Sequence, residues 1–267
     1  MKTPINSSRC ITIVGPSQSG KTTLMESILH VCGEVHQRGN VKNNSTLSDH
    51  LTEEHDLKMS VSMGISNAKF MNEEYTFIDC PGSNDFINEF LQATRISDLC
   101  VLVIEPVKEK ILSLVPYFYY LNKMDIPHML FINKVDNFNF DIKTFLGSIQ
   151  EYSPKPLVIR QIPIRKEDKI IGSADVIHER AYIYEKEKPS QIVKIPEELS
   201  SVRTEIREKV LETLADFDDV LMEKILEDTP TSTEEIYENL KKDIASNKIV
   251  EVLTGSAENE TGIHRLL

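Results

Sequence analysis

Gly15-Pro16-Ser17-Gln18-Ser19-Gly20-Lys21-Thr22 fits the pattern G-x-x-x-x-G-K-S/T. Each residue type in it has a task in holding a polyphosphate. Gly15 and Gly20 permit backbone conformations and close approaches that a side chain would block. The N–H groups of Ser17, Gln18, Ser19 and Gly20 can converge on phosphate oxygens at the positive end of a helix that continues through Thr23. Lys21 neutralises the β- and γ-phosphates, and the Thr22 hydroxyl is a hard oxygen ligand for Mg²⁺. Asp79-Cys80-Pro81-Gly82 follows an apolar run. An aspartate there holds Mg²⁺ through water, and Gly82 leaves its N–H free for the γ-phosphate.

Asn133-Lys134-Val135-Asp136 chooses the base. A carboxylate accepts two hydrogen bonds from guanine, at N1–H and the exocyclic amine. Adenine lacks that donor pair, and a site of buried polar groups can reject the wrong base by ~10⁴–10⁵. Lys134 can cover the base, and Ser256 and Ala257 of Gly255-Ser256-Ala257 are placed to offer a backbone N–H to guanine O6. The ligands implied are GTP or GDP with Mg²⁺.

These motifs require strands that end on one edge. Cys10–Val14 reads as a buried strand and Lys21–Val31 as a helix. Tyr75–Asp79, Leu99–Glu105 and His128–Asn133 read as further strands, alternating with helices over Phe86–Ile96, Ile111–Asn122 and Ile142–Gln150. Gly33–Lys58 is polar and reads as a long loop. Alternating strands and helices predict an α/β fold with a mostly parallel sheet, whose ligands bind at the carboxyl ends of the strands. The rhythm breaks near Pro154-Lys155-Pro156. Leu157–Ile164, Ile170–Val176 and Ala181–Tyr184 suggest an antiparallel meander. Three helical patterns follow, the last opened by a capping box at Thr231/Glu234 or Ser232/Glu235. Ile249–Leu253 is a strand again, and Gly262–Leu267 a last helix. The expected organisation is a P-loop nucleotide-binding domain of residues 1–155 and 229–267, interrupted by an inserted α+β subdomain of residues 156–228.

The chain has 267 residues and a net charge of −12, which disfavours sequence-specific nucleic-acid contact and anionic lipid. No apolar stretch approaches the ~18 residues of a membrane span, and Met1–Ser8 lacks the apolar core of a secretory signal. Cys10, Cys32, Cys80 and Cys100 form no C-x-x-C pair and read as reduced thiols of a cytoplasmic protein. His30, His36, His50 and His55 form no metal set and read as surface residues. Glu185-Lys186-Glu187-Lys188-Pro189 reads as a solvated turn. Tyr117, Tyr119 and Tyr120 read as packing.

Together the motifs resemble the translational GTPases, specifically elongation factor G. Glu54-His55-Asp56-Leu57-Lys58-Met59-Ser60-Val61 lies where that family has E-x-x-R-G-I-T-I, and Asp79–Phe86 lies where it has D-T-P-G-H-V-D-F. Ala215-x-x-Asp218-x-x-Leu221-Met222-Glu223-Lys224 is similar to the family's stretch before its glycine-serine-alanine. The insertion between Asp136 and Gly255 exceeds the ~30 residues of one βαβ unit and matches the family's insert. The resemblance implies GTP-driven work on the ribosome, an insert that meets ribosomal stalk proteins or serves only as an appendage, and further domains beyond this chain. It implies that Ser60 ligates Mg²⁺ in place of the family's threonine and that Ser83 stands where the family has its catalytic histidine. Gln18 replaces an acidic residue, and Leu57-Lys58 replaces arginine-glycine. Two outcomes stay open at this point: a switch that hydrolyses GTP, and a GTP-binding regulatory module with little or no hydrolysis.

Overall fold

The computed structural model describes residues 9–138, 140–166, 169–178, 180–185 and 188–267. The chain runs β1 (Arg9–Val14), α1 (Lys21–Val31), α2 (Thr52–Leu57), β2 (Gly64–Phe70), β3 (Glu73–Asp79), α3 (Ile87–Thr94), β4 (Leu99–Ile104), α4 (Val115–Lys123), β5 (His128–Ile132) and α5 (Ile142–Gln150). It continues through β6 (Leu157–Ile159), β7 (Gln161–Lys166), β8 (Lys169–Asp175), β9 (Ala181–Glu185), β10 (Lys188–Val193), α6 (Ser200–Ala215), α7 (Asp219–Leu226), α8 (Thr233–Ala245), β11 (Val250–Thr254) and α9 (Ile263–Leu266). Seven strands form one sheet in the order β2-β3-β1-β4-β5-β11-β6, and four form a second in the order β10-β9-β8-β7.

The large sheet is parallel except for β2, which pairs antiparallel with β3. Its central strands are mostly apolar because both faces are covered. Successive side chains alternate between the two layers. Val14, Leu102 and Ile104 face a layer with Phe90 of α3, Phe118 of α4 and Phe145 of α5. Ile13, Val101 and Val103 face Leu24 and Ile28 of α1 and Ile263 of α9. A third cluster joins Ile162 and Ala174 of the small sheet to Ile206, Leu221 and Ile236 of α6, α7 and α8.

Several elements differ from the sequence reading. Leu157–Ile159 belongs to the large sheet, parallel to β11, and not to the meander. Apolar residues flank Arg160 and Gln161 on both sides, and the backbone of Arg160 carries the change of sheet. Its N–H donates to Val252 O at 3.3 Å, and its carbonyl accepts from Val176 N at 3.0 Å. The meander has a fourth strand, β10, where no strand was expected. Lys186 and Glu187 of the expected turn, like Met1–Ser8, lie outside the described residues. The segment Gly33–Lys58 is not all loop. It holds a 3₁₀ turn at Val41–Asn43 and the helix α2. Strand β2 is absent from the sequence reading because only Gly64 and Ala68 of it are buried, so it carries no apolar pattern. The helix expected from Ile111 begins as a 3₁₀ segment, Lys108–Leu114, and becomes α-helical at Val115. Pro116 explains that boundary, since proline lacks the N–H that the first helical turn leaves unpaired. Ser232 and Glu235 form the capping box of α8.

His128 sits fully buried on β5, with its Nδ1–H donating to Ile126 O at 2.9 Å. Burial pushes its imidazole down to about 4. Between the ordinary histidine value of ~6.5 and 4, the unfolded chain binds a proton that the folded chain refuses. Stability contributed by neutral His128 is therefore present above ~6.5 and lost as pH falls to about 4, a loss of about 3 kcal/mol. Urea titrations of His128→Asn should show a shallower fall across that window. Identical slopes for the two proteins would show that His128 is not the group responsible.

Candidate functional site

The carboxyl ends of β1, β3, β5 and β11 lie on one edge of the large sheet, so all four motifs meet there. Between β1 and α1 the chain makes a tight loop. Gly15 has φ +142°, and a Cβ on it would lie 2.3 Å from Val103 O. Gly20 has φ +91°, and a Cβ there would lie 2.4 Å from Asn133 Nδ2. No side chain but glycine's fits either position. Gly20 supplies no capping side chain to α1, which leaves the helix's first N–H groups for a ligand. Ser17 and Gln18 are exposed, Ser19 is buried, and Thr23 lies half-buried in the first turn of α1. The buried Ser19 hydroxyl has no partner. Lys21 is buried with Nζ donating to Pro16 O at 3.0 Å. Burial pulls its pKa down, and the charge of Asp79 opposes the shift.

Beside Lys21 lies a group of oxygens. Thr22 Oγ1 donates to Asp79 Oδ2 at 2.7 Å and lies 3.1 Å from Ser60 Oγ. Ser60 in turn donates to Asp49 Oδ1 at 2.7 Å. Asp79 Oδ1 is buried and without a partner. Burial lifts the Asp79 carboxyl to about 7 against the pull of Lys21 and Thr22. It also lifts Asp49, against its bond from Ser60. An all-oxygen set with an orphaned carboxylate oxygen fits a hard divalent cation such as Mg²⁺, which would favour the ionised carboxylates. The set holds two acids and two hydroxyls, and among the described residues no group of three or more histidine, cysteine or acidic side chains is placed to hold a metal. Gly82 closes the site: a Cβ on it would lie 2.4 Å from Lys21 Nζ and 2.7 Å from Ser17 N. Ser83 is spent locally. Its hydroxyl donates to Asp85 Oδ2 at 3.1 Å and caps the 3₁₀ turn Asn84–Phe86.

The base side is built the same way. Asn133 Nδ2 donates to Ser19 O at 2.8 Å, and its Oδ1 accepts from Ala257 N at 2.9 Å, tying two loops together. Lys134 lies across the phosphate loop with Nζ donating to Gln18 O at 2.7 Å and pairing with Glu105. Asp136 Oδ2 accepts from Asn259 Nδ2 at 2.9 Å, while its Oδ1 is buried and unpaired. The N–H groups expected to face guanine O6 already have protein partners. Ser256 N donates to Thr261 O at 3.0 Å, and Ala257 N donates to Asn133. An incoming carbonyl would share Ala257 N–H with Asn133 as a three-centre bond.

The elongation factor Tu GTP binding domain family matches residues 6–267. The chain belongs to that family. It is a translational GTPase's GTP-binding domain, similar to an elongation factor G-like protein of Synechocystis sp., with 37% identity over the whole chain and 40% of the relative. The chain therefore spans about two fifths of the length of that relative. A crystal structure from Thermus thermophilus is 25% identical and superposes with a TM-score of 0.90, covering 98% of this chain and 39% of that one.

Sequence reasoning missed several residues that position this GTP-binding domain's loops. Glu26 of α1 accepts from Gly39 N at 3.0 Å and Leu47 N at 2.5 Å. Glu54 accepts from the backbone of His50, Leu51, Val61 and Ser62. Burial would raise its pKa, but those four donors outweigh it and hold the carboxyl low. Arg38 donates to Ala257 O at 2.8 Å and Glu258 O at 2.6 Å. Tyr117 is packed against Phe90 as expected, yet its hydroxyl also donates to Gly15 O at 2.8 Å. Tyr119 is exposed, and its ring packs only at the surface, edge-on against Tyr120 at 5.2 Å. His36 and His50 are exposed, but His30 pairs with Glu260 and His55 meets Asp49 O, so those two are not simply solvated. The only signal for the buried acids was a charged residue in an otherwise helical or loop pattern, which a solvated face produces equally well. Lys58, where the related factors have glycine, holds φ +53° as the left-handed end of α2, with Nζ bonded to Asn44. A side chain costs roughly 1–2 kcal/mol in that conformation.

Proposed function

We propose that this domain binds GTP and GDP with Mg²⁺ and hydrolyses GTP to GDP and phosphate, as the switch of a cytoplasmic factor in ribosome-associated translation elongation. The observation that carries this reading is the convergence of Lys21, Thr22, Ser60 and Gly82 around the orphaned oxygen of Asp79, with a second orphaned oxygen, that of Asp136, on the base side. In this reading the loop N–H groups from Ser17 to Thr23 and Lys21 hold the phosphates. Thr22, Ser60 and Asp79 hold Mg²⁺, which spreads the charge of the phosphates when bound. Gly82 brings its N–H to the γ-phosphate, and Asn133, Lys134, Asp136, Ser256 and Ala257 frame guanine. Hydrolysis is an in-line attack of water, for which the protein supplies charge and position. Ser60 sits at the end of a segment tied to Glu26 and Glu54, so loss of the γ-phosphate frees a whole strap and not one residue. Residues 1–155 and 229–267 make the nucleotide-binding unit, and 156–228 the insert, with Leu157–Ile159 lent to the large sheet. The insert meets ribosomal stalk proteins.

Single-turnover hydrolysis of GTP by the full-length protein, with and without ribosomes, tests the switch. Release of one phosphate per bound GTP, accelerated by ribosomes, is the expected result. Tight GTP binding with no ribosome-dependent phosphate release would overturn hydrolysis and leave a GTP-binding regulatory module. That module is the reading motivated by Ser83, whose hydroxyl is turned into its own turn.

A further inference from the structure

Asp136 does not stand alone. One of its oxygens, Oδ2, accepts from Asn259 Nδ2 at 2.9 Å, and the same amide nitrogen lies 3.3 Å from Ser256 Oγ. Asn259 is carried on a closed loop. Ser256 N donates to Thr261 O and Thr261 N returns a bond to Ser256 O, both at 3.0 Å. Glu260 N donates to Ala257 O at 3.2 Å, and Gly262 turns the chain out at φ +82°. The amide is therefore held at both ends, by its loop and by the carboxylate. The other oxygen of Asp136, Oδ1, is buried with no protein partner.

A carboxylate offers about four lone-pair sites. Fixing one of them fixes the plane of the group and the direction of the rest. We propose that Asn259 is a specificity-determining positioning residue, which orients the Asp136 carboxylate so that it reads both donors on the Watson–Crick edge of guanine. This rests on the guanine reading given above. The donor geometry makes the role selective. Hypoxanthine shares N1–H and O6 with guanine but lacks the exocyclic amine. A carboxylate left free to swing can still meet one donor; it loses the second. Asn259 thus acts on the amine, and the nucleotides that differ only in that amine report on it.

The test is equilibrium competition binding of GDP and IDP to the full-length protein and to Asn259→Ala and Asn259→Asp. Asn259→Asp keeps the side-chain shape and sets a second carboxylate against Asp136. For Asn259→Ala we expect GDP affinity to fall roughly tenfold, the loss of one charge-assisted bond's worth of alignment. IDP should fall about threefold or less, so that the preference for GDP over IDP shrinks. Asn259→Asp should lose more GDP affinity than Asn259→Ala. Equal losses of GDP and IDP would overturn the proposal by assigning Asn259 only a part in loop folding. A gain in GDP affinity would overturn it by showing that Asn259 competes with the base for Asp136. Asp136→Asn, measured beside them with xanthosine diphosphate, separates the two levels. If it gains no xanthine preference, the guanine reading itself has failed; if it does, the Asn259 results speak for Asn259 alone.

Discussion

Replacing Asp136 by asparagine should lower GTP affinity by roughly 10²–10⁴ and raise affinity for xanthosine triphosphate. The two hydrogen bonds lost are charge-assisted, each worth roughly 1.5–3 kcal/mol, and a buried amide N–H would face guanine donors in their place. Xanthine carries a carbonyl where guanine carries its amine, so the same amide finds an acceptor there. Asp136 Oδ1 has no protein partner to compensate, which is why the change is felt in binding more than in folding. The oxygen retained by asparagine can still accept from Asn259 Nδ2, now 2.9 Å from Asp136 Oδ2. Competition binding of GTP against xanthosine triphosphate gives the answer directly. If both affinities move together, Asp136 does not read the base.

How much of this domain is legible in its sequence depends on what each residue must do alone. Gly15 and Gly20 are legible because their backbone conformations and close approaches admit no other residue, and the pattern around them is short and local. The central strands are legible because burial on both faces leaves them mostly apolar, Thr12, His128 and Glu251 aside. Strand β2 is not legible, since one protected edge and two buried residues leave no signature. The change of sheet at Arg160 is not legible either, because it is made by backbone hydrogen bonds that carry no side-chain preference. The same limit hides Asp49, Glu26, Arg38 and Asn259. Each works through a partner in another loop or element, and a lone charged or amide side chain in a polar stretch looks like a solvated one. The metal-side reading of Thr22 and Asp79 followed from their motifs. That Ser60 joins them was implied by the family resemblance; the path of Gly33–Lys58 that brings it there is held by the carboxylates of Glu26 and Glu54, among other bonds.

Histidine at position 83 should raise the ribosome-dependent rate of single-turnover GTP hydrolysis by roughly 10²–10⁴, the range for a positioned acid–base group. Ser83 is half-buried at the mouth of the site and one residue beyond Gly82, which packs against Lys21 and Ser17. Its hydroxyl is committed to Asp85 and is too short to reach past its own turn. An imidazole there titrates near ~6.5, whereas serine does not titrate at any working pH. Hydrolysis by Ser83→His should therefore gain a further pH dependence between about 6 and 8, read as the difference from the unmodified protein. Affinity for GTP should stay the same, because Lys21, Thr22 and Asp136 keep their partners. The substitution removes the cap on the turn Asn84–Phe86, at a cost of about 1 kcal/mol. Ser83→Ala removes the same cap and supplies no imidazole, so a rise in rate confined to Ser83→His belongs to the ring and not to a loosened turn. If the unmodified protein already matches Ser83→His on the ribosome, water is positioned by another group. The 3₁₀ turn at Ser83 is then a scaffold, and the catalytic work has moved off this position.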